Sequence, residues 1–165
     1  MPGNDGVVAD TSPLLNLALI GRLDLFRSQF DSIIITETVR EELLAGEDAR
    51  EPLETFIDSD IVGVEQPTRD DLVREFRSRL DAGESTAIAL AIERDASLVL
   101  IDERDGRQVA RRHELPVTGI IGVLLRAADQ GRIDIESELD SLRQVGFWIG
   151  EDLYDRAIDA VENDG

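Results

Sequence analysis

Short apolar runs alternate with amphipathic stretches along the whole chain. Val7-Val8-Ala9, Ile33-Ile34-Ile35, Ile61 to Val64, Leu98 to Ile101 and Pro116-Val117-Thr118 have the length and β-branched content of buried strands. Between them, apolar residues recur at helical spacing. Ser12 as cap and Pro13 in the first turn open a helix whose apolar face is Leu14, Leu15, Leu17, Ala18 and Ile20, ending at Gly21. Further helices are predicted over Leu23 to Phe30, Glu37 to Ala45 (capped by Thr36 and stopped by Gly46), Ala49 to Ile57 and Thr68 to Leu80. Others cover Glu84 to Arg94, Arg107 to Glu114, Gly119 to Gln130, Ser137 to Val145 and about 151–162.

Strands alternating with helices predict an α/β fold. The expected form is a three-layer α/β/α sandwich around a central, mostly parallel sheet, in one domain over 1–165. Ile61 to Val64 belongs at a sheet edge, because Pro67 follows closely.

Composition narrows the chemistry. All 17 basic residues are Arg. Without Lys there is no Walker A phosphate loop, no Schiff-base nucleophile, and no carboxylate–Lys site of the response-regulator type. Without Cys there is no disulfide, zinc ribbon, iron–sulfur site or thiol nucleophile. The one His, His113, leaves no room for a His-rich metal site and reads as an exposed helix-end residue rather than a general base. The hydrophobic fraction of 42% is that of a folded domain. No apolar run approaches the ~18 residues of a membrane helix, and no basic segment precedes an apolar one, so a cytoplasmic protein with no membrane partner is expected.

The formal charge is −19 and the pI near 4.2. A basic surface is the usual mark of a nucleic-acid partner, and this balance runs the other way. The acids are spread along the chain without a tail block, which suits a halophilic protein. At ~1 M salt the screening length is only ~3 Å, so self-repulsion nearly vanishes.

A few acids stand out by position. Asp10 and Asp102 each follow a strand apolar enough to be central, where sites form outside the carboxyl ends of parallel strands. Either is equally readable as a loop residue or helix cap. Val39 and Leu43 face the core, which puts Glu42 at the edge of that buried face, as a site acid or a rim residue reaching for water. Glu84 heads the stripe Ala87, Ile88 and Ala91, although Asp81-Ala-Gly-Glu84 also fits a capping box. Glu103 and Asp105 either join the cluster or cap the next helix. Carboxylates gathered at strand ends raise one another's pKa unless a cation is present. An all-oxygen set suits Mg²⁺ or Mn²⁺, ions that meet phosphate oxygens and acidify a bound water.

Four segments in order, Val-Val-Ala-Asp10-Thr-Ser-Pro-Leu, Val-Arg-Glu-Glu42-Leu, Ala-Gly-Glu84-Ser-Thr-Ala-Ile-Ala-Leu-Ala and Leu-Val-Leu-Ile-Asp102-Glu-Arg-Asp105, resemble a PIN domain. More narrowly they resemble the uncharacterised prokaryotic PIN-like proteins related to the toxins of VapBC toxin–antitoxin pairs. The stretches Val117-Thr-Gly-Ile-Ile-Gly-Val-Leu-Leu-Arg-Ala and Leu142-Arg-Gln-Val-Gly-Phe147 match that branch too. The resemblance implies a Mg²⁺- or Mn²⁺-dependent endoribonuclease acting on single-stranded RNA. Asp10, Glu42, Glu84 and Asp102 would be the metal-holding acids, with Asp105 as the alternative to Asp102. Ser12 would orient the site by bonding the first carboxylate or a ligated water. The same resemblance implies a homodimer and, for a toxin, an antitoxin partner. The residue before Asp102 is Ile101, where the wider family carries Thr or Ser, which keeps open a catalytically silent module that binds RNA or protein.

Arg107, Arg111 and Arg112 read first as ion-pair partners on so acidic a chain. Arg107 and Arg111, on one helix face, are the alternative phosphate contacts for RNA near Asp102. Phe147 and Trp148 read as core or dimer contacts rather than base-stacking platforms.

Overall fold

The computed structural model describes residues 6–164; positions 1–5 and 165 of the expected domain lie outside the described residues. Five strands, β1 (Val7–Ala9), β2 (Ile33–Thr36), β3 (Val62–Glu65), β4 (Leu98–Leu100) and β5 (Val117–Thr118), form one sheet in the order β3-β2-β1-β4-β5. Every pairing is parallel. β3 takes an edge, as the following Pro67 predicts.

Alternation along each strand sorts side chains to the two faces. Val7, Ala9, Ile33, Ile35 and Leu100 point into one core, with α1 (Thr11–Leu19), α2 (Asp24–Gln29), α3 (Glu37–Ala45), α4 (Arg50–Ile57), α8 (Ile120–Asp129), α9 (Ile135–Gln144) and α10 (Glu151–Asp164). Val8, Ile34, Val99 and Ile101 point into the other, covered by α5 (Asp70–Phe76), α6 (Ala82–Arg94) and α7 (Arg104–Arg112). The result is a five-stranded all-parallel sheet flanked by helices on both faces, a PIN-like α/β/α sandwich.

Chain order reverses beside β1. The path runs outward from β1 to β2 and β3, then crosses back to β4 and β5 on the far side. Val7, Val8 and Ala9 lie opposite Leu98, Val99 and Leu100, so the carboxyl ends of β1 and β4 are level. A crevice opens at such a switch point, and Asp10 and Asp102 stand at its two walls.

Several helix starts differ from the spacing-based reading. Ser12 does not cap α1; the helix begins at Thr11, and Asp10 holds the cap position. The helix expected over Thr68 to Leu80 spans only Asp70–Phe76, and Glu93 of α6 accepts from the N–H groups of Thr68 and Arg69 before it. Asp134 caps α9 from two residues earlier than expected, accepting from Ser137 N–H. The helix expected over Arg107 to Glu114 starts three residues early, at Arg104, and ends at Arg112.

Candidate functional site

Asp10 sits in the N-cap position of α1 with extended backbone (φ −84°, ψ 174°), yet its carboxylate makes no cap hydrogen bond. Its N–H donates to Leu100 O at 2.9 Å, tying it to the end of β4. Only 4% of the residue is exposed. Burial pushes its pKa up to about 7, the Thr11 N–H opposes the shift, and the charges of Asp81, Glu42 and Asp102 add to it.

Glu42 turns inward from α3. One carboxylate oxygen accepts from Thr11 Oγ1 at 2.5 Å and the other from Gly83 N–H at 3.1 Å. The rim reading is thereby overturned, since the carboxylate bridges the first turns of α1 and α6. A buried hydroxyl pair, Thr36 Oγ1 with Thr86 Oγ1 at 2.9 Å, joins the start of α3 to α6 close behind it.

Glu84 satisfies both readings of its motif. Its N–H donates to Asp81 Oδ1 at 2.8 Å, so Asp81 caps α6. Its own carboxyl is buried in the crevice, where burial above all, then the charges of Asp81, Asp10 and Glu103, push it up to about 8. A bond to the Asp81 side chain adds to the shift. Asp81 is thus a further acid whose charge acts on both Asp10 and Glu84, one that spacing alone concealed because its capping role explained it fully.

Asp102 is held from the opposite wall. Its Oδ1 accepts from Ile120 N–H at 2.9 Å, at the start of α8. Its Oδ2 is buried without a partner. Burial raises its pKa to about 6, against the pull of the Ile120 N–H, Arg107 and the nearby Ser12 hydroxyl. Ser12 is itself held by Asn16, whose Nδ2 donates to its Oγ at 3.1 Å. Asp105 is exposed in the first turn of α7, while the charge of Glu103, just before that helix, acts on both Glu84 and Asp102.

Three glycines make room for these carboxylates. A Cβ at Gly83 would lie 2.4 Å from Glu42 Oε2 and one at Gly119 2.3 Å from Asp102 Oδ1, while one at Gly106 would meet Ile101 Cδ1 at 2.5 Å before Glu84 Oε2 at 3.2 Å. Sequence reasoning had no signal for this, because each glycine is paired with an acid distant in the chain.

Buried acids with raised pKa values, one orphaned oxygen and an all-oxygen donor set fit a hard divalent cation in their chemistry. Among the described residues no three of them converge on a common point, so holding an ion requires a long side chain, Glu42 or Glu84, to swing.

On the far side of Asp102 lies a cleft of about 710 Å³, lined among others by Arg104, Arg107, Arg111, Phe147 and Trp148. The ion-pair reading of these arginines fails. The ion pairs among the described residues use Arg22, Arg27, Arg40, Arg50, Arg69 and Arg94, and Arg107 instead donates to Ile101 O. Trp148 is not core either, being 85% exposed.

An all-parallel sandwich with a carboxylate cluster at its switch point is the class of protein defined so far. The DUF3368 family model, described as a PIN domain, matches residues 6–163, and the chain belongs to that family. The PIN domain is a nuclease-type fold. No curated protein and no solved structure matches the chain. Among the described residues, no helix is long and apolar enough to cross a membrane.

Proposed function

We propose that the protein is a metal-dependent endoribonuclease cleaving single-stranded RNA. The observation that supports this is the meeting of Asp10, Glu42, Asp81, Glu84 and Asp102, from four separate chain segments, at one crevice where burial, with neighbouring negative charge, raises the pKa values of Asp10, Glu84 and Asp102. Such repulsion costs stability, and a Mg²⁺ or Mn²⁺ ion is the simplest compensation. When bound, the ion would neutralise phosphate charge and acidify a water. Asp10 and Asp102 would hold it from the two walls, with Glu42 and Glu84 completing the set. Thr11 and the Gly83 N–H orient Glu42, and the Ile120 N–H orients Asp102. Arg107 and Arg111 would meet the RNA backbone beside Asp102. As a toxin, the protein would carry an antitoxin partner over this cleft.

A second reading is favoured by one observation: no three carboxylates share a point as they stand, and Glu42 is already occupied by two donors. A silent module that binds RNA without cutting fits that arrangement. Single-stranded RNA incubated with Mn²⁺ or Mg²⁺ in molar KCl separates the two. Cleavage that disappears with EDTA and in Asp10→Asn supports the enzyme; intact RNA under both metals supports the silent module. We also propose that the acidic remainder of the surface is adapted to molar salt.

A further inference from the structure

Resting on the single-strand reading above, we propose that Trp148 is a base-stacking platform, receiving a nucleobase of a single strand whose phosphates lie along the Arg104–Arg107–Arg111 face of α7. Those arginines are at positions i, i+3 and i+7 of one helix, hence on one face, and all three line the same cleft as Trp148. Asp102 lines that cleft as well, so it runs into the carboxylate crevice.

Charge argues for an anionic occupant. On a chain of net charge −19, Arg104, Arg107 and Arg111 gather three cations on one cleft wall, and among the described residues none of the three forms an ion pair. Burial disfavours the charged Arg107 and the neighbouring Arg111 adds repulsion, which the nearby Asp102 offsets only in part. A phosphate backbone relieves that cost.

The aromatic argues for bases rather than a bare polyanion. Trp148 is 85% exposed, and the loop presenting it is held on both sides. Gly146 (φ 95°) closes α9, and the Phe147 N–H donates to Leu142 O at 3.0 Å. Arg143 Nη2 donates to Ile149 O at 3.0 Å, and Tyr154 N–H to Gly150 O at 2.9 Å. The indole lies against Gly150, where a Cβ would come within 3.1 Å of Trp148 Cη2. A ring carried on backbone held this way and left facing solvent is open to a stacking base, and stacking contributes ~1–3 kcal/mol per base.

Trp148 is the chain's one tryptophan, so its emission reports on this position alone. The experiment titrates the full chain, in EDTA and at the lowest KCl that preserves its far-UV circular dichroism. The probes are uridine and adenosine 12-mers, a deoxy 12-mer, an abasic 12-mer of equal charge, and a duplex. The base-bearing single strands should quench the emission, with the abasic strand and the duplex leaving it nearly unchanged. Followed by fluorescence anisotropy of labelled strands, Trp148→Ala should weaken binding about 5- to 100-fold, and Trp148→Phe should restore most of it. Equal quenching by the abasic strand, unchanged affinity in Trp148→Ala, or no binding at all overturns the assignment. So does a concentration-dependent mass with blue-shifted emission, which would give the indole to a second copy of the chain. RNA cleavage with Mn²⁺ is scored separately. Its absence alongside intact stacking removes the nuclease reading only, and its presence with an indifferent Trp148→Ala removes the stacking platform only.

Discussion

Asp10, Glu84 and Asp102 hold protons in the folded protein up to about pH 7, 8 and 6, where the free side chains have released them near 3.8, 4.5 and 3.8. Between those limits the folded chain binds more protons than the unfolded one, so metal-free stability falls as pH rises from about 5 to 8. Thermal unfolding in EDTA should show a drop of about 5 °C or more over that window, given that ~1 kcal/mol shifts Tm by roughly 2–4 °C at this size. Asp10→Asn should raise Tm at pH 8 in EDTA, flatten the pH profile, and remove the stabilisation that Mn²⁺ gives the native protein. A metal-free Tm that climbs with pH would contradict the cluster. Asp10, Glu42, Glu84 and Asp102 were all legible in the sequence because each breaks a local pattern, standing at a strand end or beside an apolar face. Asp81 was hidden by a complete local explanation as a cap. Thr11, Gly83 and Trp148 gave no local sign, because what matters about them is a partner far along the chain or a face left open.

At the level of elements, α1, α3, α6 and α7 deliver the site from their first turns or inner faces, and the glycines set how close they come. Gly83 lies in the first turn of α6, where Ala is the better helix former by up to ~1 kcal/mol. Gly83→Ala puts a Cβ against the flexible end of Glu42 rather than against backbone, so the side chain yields. The expected result is a Tm within about 3 °C of the parent together with at least a tenfold loss of RNA cleavage, read on the same preparation. Equal losses of stability and cleavage would mean that the glycine serves packing instead. Strand order and the two-sided core followed from apolar runs alternating with helical periods. Helix starts were the weak point, since Glu93, distant in the chain, takes the N–H groups of Thr68 and Arg69, and Asp134 caps α9 ahead of its expected start. The early start of α7 was consequential: it places Arg104 in register with Arg107 and Arg111, a third cation that the shorter helix omitted.

The whole molecule carries its −19 charge as two populations, a few acids inside the crevice and the rest on open faces. Screening acts on the second population, so Tm should rise between 0.1 and 2 M KCl as the Debye length contracts from about 10 Å to under 3 Å. A flat profile would leave the acidic surface without a salt role. The crossing from β3 back to β4 has a further consequence, one of timing. β1 pairs with β4, roughly ninety residues downstream, and that pairing alone brings Asp10 level with Asp102. Closing so long a loop is slow relative to forming the helices within it. A growing chain therefore carries Asp10 and Glu42 without a crevice to hold them until β4 has been made, and whatever chemistry the site performs is withheld until β4 joins the sheet.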